Sequence, residues 1–530
     1  MPITTSTSTF EVDETGLAAV LHPRDDFVLE QAPTNAPDHR FGLAEGPFDH
    51  YERRVAVEPL GDQVDDPLTA TRYRVTETVD WQLAIPIWGA LFRPLVKRIA
   101  VRKEAPPLLG PDDDRPASPW WSPPARLDAR SASVLSRLCG LSMLSGYLGT
   151  IITQTLTYAS TEFHSSGTGQ GTTLAAVRFG VLLSLVLLSI SDRRGRHSLL
   201  RVAAIGGTAA AAAGALSPNL WVLGSTQTIS RAFATTMALL ITVVAAEEMP
   251  AGGRAYAASV LAMTGALGAG GAVILLPVAD AAPWAWRIVY VAPLFALPFF
   301  LGIVKRIPES RRFTRPHGKA TMAGHRGRLA LLSASAFFGL LFLAPVTQFQ
   351  NEFLRNEHAF SALGITIFTI CTNTPGGIGI VVGGKLADLR GRRMIGAIGT
   401  IGGAIFLAIG YQVGGPALWV VWITGTIIAA MCVPALGVYG PELFPTGLRG
   451  RANGLITLAG VCGSGVGLIL AGRLRDHFHR FGPGFAMLAA GPIVVAILVI
   501  TLYPETANIE LEDLNPEDAG SLAVTATTLI

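Results

Sequence analysis

Charge is what this sequence has least of. Only 15% of its 530 residues are Asp, Glu, Lys or Arg, against about 25% in a soluble globular chain. Half of the residues are apolar, so composition points to a polytopic chain that has lipid for its solvent. Cysteine is nearly missing as well. Cys139, Cys371, Cys432 and Cys462 each sit inside an apolar run, with no CxxC or Cys/His spacing. That pattern suggests neither a disulfide framework nor a zinc site, and no metal or other cofactor is expected. The first residues, MPITTSTSTFEVDETG, lack a basic stretch and an apolar one, so no cleavable signal peptide is expected. There is no GxxxxGK[ST], GxSxG or HExxH. Their absence argues against ATP-driven work and against an enzyme of those classes. Nucleic acid is not an expected partner.

The few charges present are unevenly placed. Residues 1–130 hold 14 Lys and Arg against 21 Asp and Glu, leaving 27 against 17 for the remainder. The acidic N-terminal part reads as a cytosolic region. RRVAVEPL and TRYRVTETVDW alternate with period 2 and predict strands of a small α+β segment. The apolar core of WQLAIPIWGALFRPLVKRIAVRK is too short to span a bilayer. It suits a helix on the membrane surface or a buried helix of a small domain. PPLLGPDDDRPASPWWSPP is a Pro-rich linker.

From residue 131 onward, apolar segments of spanning length follow one another. They lie near 132–156, 171–190, 198–217, 220–246, 256–278, 287–304, 329–348, 363–384, 394–412, 417–440, 453–472 and 485–503. About 20 helical residues cross a bilayer, and helices satisfy their own backbone in lipid. The expected fold is an all-α membrane protein of twelve transmembrane helices with an N-terminal cytosolic extension. Arg193, Arg194, Arg196, Arg254, Lys305, Arg306, Arg390, Arg392, Arg393, Arg449 and Arg451 fall on one side of this count. By the positive-inside tendency that side is cytosolic, with both termini. GRLRDHFHRFGPG, with Arg473, Arg475 and Arg480, is the exception.

Three landmarks recur at one offset. Asp192 of SDRRGR and Asp388 of ADLRGRR are 196 residues apart, Glu247 of EEMPAGGRAYA and Glu442 of ELFPTGLRGRA 195, and the prolines of PESRRF and PETANI 196. The chain is therefore expected to be two six-helix halves repeated in parallel. The expected divisions are a cytosolic region at 1–130, one half at 131–306, a cytosolic loop at 307–328, the second half at 329–504 and a tail at 505–530. On these residues the chain resembles a major facilitator superfamily transporter over about 131–510. Gly384, Asp388, Arg390, Gly391 and Arg392, with Arg393, fit the family's loop motif between helices 8 and 9. Asp192, Arg193, Gly195 and Arg196 fit its copy between helices 2 and 3, although Leu188 stands where a Gly is usual. PES, PET and PELFPTGLRGRANG resemble the sugar-porter and metabolite–proton symporter branches. The resemblance implies a gating part for these loops, and for Glu247 with Arg254 and Glu442 with Arg449. An aspartate at a helix end can also accept from arginines and from a neighbouring helix N-terminus.

The expected substrate site is the midplane between the halves. Arg231 lies deep in its span, where an ionisable group is costly and commonly functional. Gln227, Arg231 and Thr235 share a face. The stripes Tyr147, Thr150, Gln154 and Thr366, Thr369, Asn373 are further candidates, with Gln348 beside them. Arg178 is shallower, and Tyr439, Trp419 and Trp422 are weaker candidates. For each polar stripe a helix–helix hydrogen bond is the competing reading. No Asp or Glu lies deep in a span, so proton coupling stays open, and two arginines favour an anionic solute. The expected function is a secondary active transporter of a small organic anion or neutral metabolite, working as a monomer in the cell membrane. A drug or metabolite exporter on the same fold is the alternative, and a transporter-like sensor a further one. TRYRVTETVDWQLAIPIWGALFRPLVKR resembles the last strand and helix of a helix-grip lipid-binding domain. A regulatory or merely tethered segment is the other reading of residues 1–130.

Overall fold

The computed structural model describes residues 2–31, 39–60, 72–100, 102, 104, 122–123, 126–194, 196–250, 254–307, 322–437, 439–444 and 448–505. The expected Gly195, most of the 307–328 loop and the tail beyond Glu505 lie outside these residues.

Residues 2–100 correct the all-α expectation. They form an antiparallel sheet in the order β1-β5-β4-β3-β2, with β1 Thr4–Val12, β2 Leu29–Gln31, β3 Arg40–Glu45, β4 Phe48–Pro59 and β5 Tyr73–Leu83. The cause is the period-2 pattern of β5, which buries Val75, Glu77, Val79, Trp81 and Leu83 on one face. Helices α1, Glu14–Leu21, and α2, Gly89–Ala100, complete the unit. Val96 and Ala100 of α2 pack with Phe48, Tyr51, Val79 and Trp81, so one face of α2 is held by a small domain while Leu91 stays exposed. Glu77 is tolerated inside because Arg53, fully buried, binds it at 3.0 Å and Glu30 at 2.7 Å. Arg53 also donates to the Val20 and His22 carbonyls. Charges taken from water persist only when paired and hydrogen-bonded in this way.

The remainder is helical. Its first half runs through α3 Ala129–Glu162, α4 Gly167–Arg194, α5 Arg196–Gly214, α6 Leu220–Glu248, α7 Arg254–Ile274 and α8 Trp286–Lys305. The second half runs through α9 Arg326–Gln348, α10 Gln350–Asn356, α11 Ala362–Asn373, α12 Gly376–Arg390, α13 Arg392–Gly410, α14 Gly415–Gly437, α15 Tyr439–Glu442, α16 Arg449–Phe478, α17 Phe481–Leu488 and α18 Ala490–Leu502. Ten spans are long and apolar enough to cross a membrane among the described residues. The repeat is visible in the boundaries: α5 and α13 each have 19 residues and start 196 apart. It is visible in the packing too. α3 packs on α7 as α9 does on α16, α4 on α6 as α12 on α14, and α5 on α8 as α13 on α18. Glycines permit the closest approaches. A Cβ on Gly268 would strike the Met143 carbonyl and one on Gly463, 195 residues later, the Phe337 carbonyl.

Two spans read as continuous are broken. One divides into α11 and α12 at Pro375, the other into α17 and α18 at Ala489, three residues before Pro492. A proline has no N–H for the carbonyl four residues back and its ring crowds that carbonyl.

Candidate functional site

The halves meet along α4 against α16 and along α7 against α11. The hydrogen bonds found between them gather at the end of the bundle remote from the N-terminal domain. There the Asp476 carboxylate, on the last turn of α16, accepts from the Gly167 N–H at 2.9 Å and the Thr168 N–H at 2.8 Å. The Thr168 hydroxyl adds a third bond at 2.6 Å. Those amides open α4, so an anion from one half caps a helix of the other. Asp280, just beyond α7, repeats the arrangement in reverse by accepting from the Ala362 N–H that opens α11. The two aspartates stand 196 residues apart, the repeat offset. Arg355 Nη1 binds Asp280 at 2.8 Å, and its guanidinium lies 4.1 Å from the Tyr158 ring centroid.

More polar side chains bridge the same end. Asn351 Nδ2 donates to the Gln154 carbonyl at 3.0 Å and to its Oε1 at 2.9 Å. The Thr153 hydroxyl donates to Gln348 Oε1, and that of Thr366 to the Val273 carbonyl at 2.9 Å. Beside them lies Glu352 of α10, 1% exposed, with Arg475 Nη2 3.5 Å away. Burial pushes its carboxyl up to about 7; Arg475 opposes the rise, Asp476 adds to it, and Gln170 and Asn356 also approach. Arg475, an exception to the charge count, is thus the counter-ion of a buried acid. Sequence reasoning missed Glu352 because it falls between spans, and its burial depends on partners more than 100 positions away.

The deep residues separate into distinct environments. Arg231 donates to the Gly149 carbonyl of α3, and its Nε has no hydrogen-bond partner among the described residues. Arg178 lies within electrostatic reach of it. Gln227, buried, points Nε2 at the Ala211 carbonyl of α5, 3.5 Å away. The Tyr147 hydroxyl donates to the Val289 carbonyl at 2.7 Å. Gln154 and Gln348 belong to the bridges between halves, and Asn373 is exposed at the break between α11 and α12. Trp422 is buried in an aromatic group with Tyr411 and Phe368.

At the domain end, Asp192, Arg193, Gly384, Asp388, Glu247, Arg254, Glu442 and Arg449 lie in helices α4, α12, α6, α7, α15 and α16. Their side chains are outside the described part. Arg196 opens α5, and Arg390 is exposed at the end of α12. Gly391, at φ +96°, makes the corner between α12 and α13. Glu505 of the PET stretch accepts from the Arg392 N–H at 2.9 Å and the Arg393 N–H at 3.2 Å, so it caps α13. The Tyr439 hydroxyl donates to the Pro504 carbonyl at 3.0 Å. In the first half, Arg130 binds Glu248 through two bonds, at 3.0 and 3.3 Å. Glu248 and Glu505 had no place in the motif reading, which stopped at the letters that recur.

A sequence profile described as Major Facilitator Superfamily matches residues 329–525. The chain is similar to a D-xylose transporter of Levilactobacillus brevis, 23% identical, over 72% of this chain and 96% of the relative. It is also similar to a putative metabolite transport protein of Haemophilus influenzae, 26% identical, over 49% of this chain and 68% of the relative. Among solved structures, the inward-open xylose transporter XylE from E. coli superposes with a TM-score of 0.61 at 17% identity, covering 73% of this chain and 99% of that one. The nucleoside transporter NupG superposes with a TM-score of 0.60 at 12% identity, covering 70% of this chain and 100% of that one. The repeated helix packing, the apolar spans and these matches agree: the chain is a multi-pass membrane protein whose residues 329–525 match the Major Facilitator Superfamily profile and whose fold is similar to that of transporters.

Proposed function

We propose that this protein is a secondary active transporter that carries a small organic solute by alternating access, in a cell membrane, as a monomer. The reciprocal caps carry the reading. Asp476 and Asp280 hold the halves together at one end through bonds that a rocking motion would break as a pair. In this reading α4, about 42 Å long at 1.5 Å per residue, and the Ala-rich α5 raise the ten spans to twelve. The domain end, with Arg196, Arg390, Arg392 and Arg393, is the cytosolic one, so both termini are cytosolic and the state described is closed to the outside. The motif residues Asp192, Arg193, Gly195, Gly384, Asp388, Glu247, Arg254, Glu442 and Arg449 gate the cytosolic end. Arg231 and Arg178 favour an organic anion, since two desolvated cations gain most from a negative charge. Glu352 makes the transport proton-dependent. A neutral sugar is the second reading, favoured by the named activity of the relative that the chain matches along 96% of that relative's length.

The test is uptake into proteoliposomes of carboxylates and pentoses, by wild type and Arg231→Gln. Carboxylate uptake lost at least roughly tenfold in the variant, or about 1.4 kcal/mol, supports the anion reading. Pentose uptake that survives the substitution selects the sugar. Binding without flux for every solute would sink transport and leave a sensor.

A further inference from the structure

Helix α2 has two faces, and the domain covers only one of them. Val96 and Ala100 are buried against the sheet. Ala90, Leu91, Pro94, Lys97 and Arg98 share the opposite face by their spacing, and all five are exposed, Leu91 at 65%. Lys97 and Arg98 make no hydrogen bond or ion pair among the described residues. Arg93 of the same helix differs, since its Nη2 donates to Thr4 Oγ1 at 2.8 Å. The uncovered face therefore offers an apolar side chain near its start and two free cations one to two turns further on.

The seat of the domain sets the depth of this face. Just before α2, the Ile87 N–H donates to the Ser136 hydroxyl of α3 and Trp88 Nε1 to the Ser136 carbonyl, both at 3.2 Å. Ile87 also packs with Ile303 over Gly140. A cavity of about 590 Å³ lies between domain and bundle, lined by Leu91 and Phe92 of α2 and by Met263 and Leu267 of α7. The apolar span that holds the last two begins at Val260, so they stand roughly 5 and 10 Å inside it at 1.5 Å per residue. Both are more than half exposed, at 59% and 52%, so acyl chains cover them in a bilayer. Leu91 thus shares a cavity with side chains that lie at the level of lipid. The carboxylates of the same cavity, Asp25, Asp26 and Glu45, lie with Arg24, Arg102 and Arg126, which leaves Lys97 and Arg98 to set the charge of the α2 face.

We propose that the outer face of α2 rests on the bilayer surface and binds anionic phospholipid, with Leu91 at the acyl boundary and Lys97 and Arg98 on the headgroup phosphates. A helix lies in the interface plane when it offers apolar side chains to that boundary, about 5–10 Å down, and Lys or Arg to the headgroups. Each cation held near an anionic surface adds to the attraction. Trp88 places an indole, a side chain enriched at that level, at the start of the helix. The site is separate from the path of the carried solute, and lipid composition then bears on how firmly the domain sits against α3 and α7.

The test uses the full-length protein in nanodiscs of equimolar phosphatidylglycerol and phosphatidylcholine, with photoreactive benzoylphenylalanine in place of Leu91. A second protein carries the same group in place of Thr7, exposed on β1. Lipid bonded to the chain after illumination is read by mass spectrometry. Lipid adducts are expected from position 91 and not from position 7. Phosphatidylglycerol should be captured over phosphatidylcholine by at least about tenfold, as two cations at an anionic surface imply. Lys97→Gln/Arg98→Gln, altered only at exposed positions, should abolish that preference while the adducts persist. Adducts confined to the chain itself, equal capture of the two lipids by the unsubstituted helix face, or a preference that survives the paired substitution would overturn the proposal.

Discussion

At the scale of single residues, several buried charges are held by fixed partners. Arg53 balances Glu30 and Glu77 inside the domain. Arg53→Met would strand two buried carboxylates, and removal of one partner of such a group costs about 3–5 kcal/mol. The domain should then lose its cooperative unfolding and become protease-sensitive, while the bundle remains folded. Glu352 has a different use. Its carboxyl is held up at about 7 in the closed remote end, against an ordinary 4.5. When that end opens and the group is wetted, its affinity for a proton falls toward the ordinary value. Between those values the closed state holds more protons, so its advantage is largest in acid and declines as pH rises through about 7. Distances between spin labels flanking the remote end should shorten with falling pH in wild type, and Glu352→Gln should flatten that response. An unchanged pH response in the variant would remove Glu352 from the gate.

At the scale of elements, helix ends carry the coupling between the halves. Replacing Asp476 with Asn removes the charge from bonds to two amides and a hydroxyl. A charged hydrogen bond is worth about 1.5–3 kcal/mol, so a loss of about 2 kcal/mol should shift the closed-to-open ratio roughly 30-fold. The same label pair reads this out, and Asp280→Asn should do likewise. Glycine sets how near these ends come. A Cβ on Gly171 would lie 2.5 Å from the Leu468 carbonyl, so Gly171→Val should force α4 from α16 and favour the open remote end. Much of this architecture could be read from the letters: apolar runs marked the spans, and the offset of 196 marked the halves. The caps could not, although Asp280 and Asp476 obey that very offset. Each is a lone acid at a helix end, and only the packing of α7 on α11 and α16 on α4 shows which amides it meets. The broken spans were announced by Pro375 and Pro492, but hydropathy alone runs through a proline.

At the scale of the whole molecule, the domain is joined to the bundle by more than its linker. Trp88 and Ile87 enter the packing of α3 and α8. Trp88→Ala should loosen the domain, seen as faster proteolysis in the 101–125 stretch with the melting of the bundle unchanged. The strands of this domain were legible in the alternation of TRYRVTETVDW; its seat on the bundle was not, because AIPIW reads only as part of a short apolar core until Ser136 stands opposite.

Glu505 closes the corner of α12 and α13 from 113 positions away. During synthesis, that corner enters the bilayer long before its cap leaves the ribosome. The second half is therefore assembled first as a loosely tied set of helices, and the stretch just after α18 acts as a fastener. A nascent protein truncated before residue 505 would keep the N-terminus of α13 bare at the membrane surface, a mark by which surveillance proteases could tell an unfinished copy from a complete one.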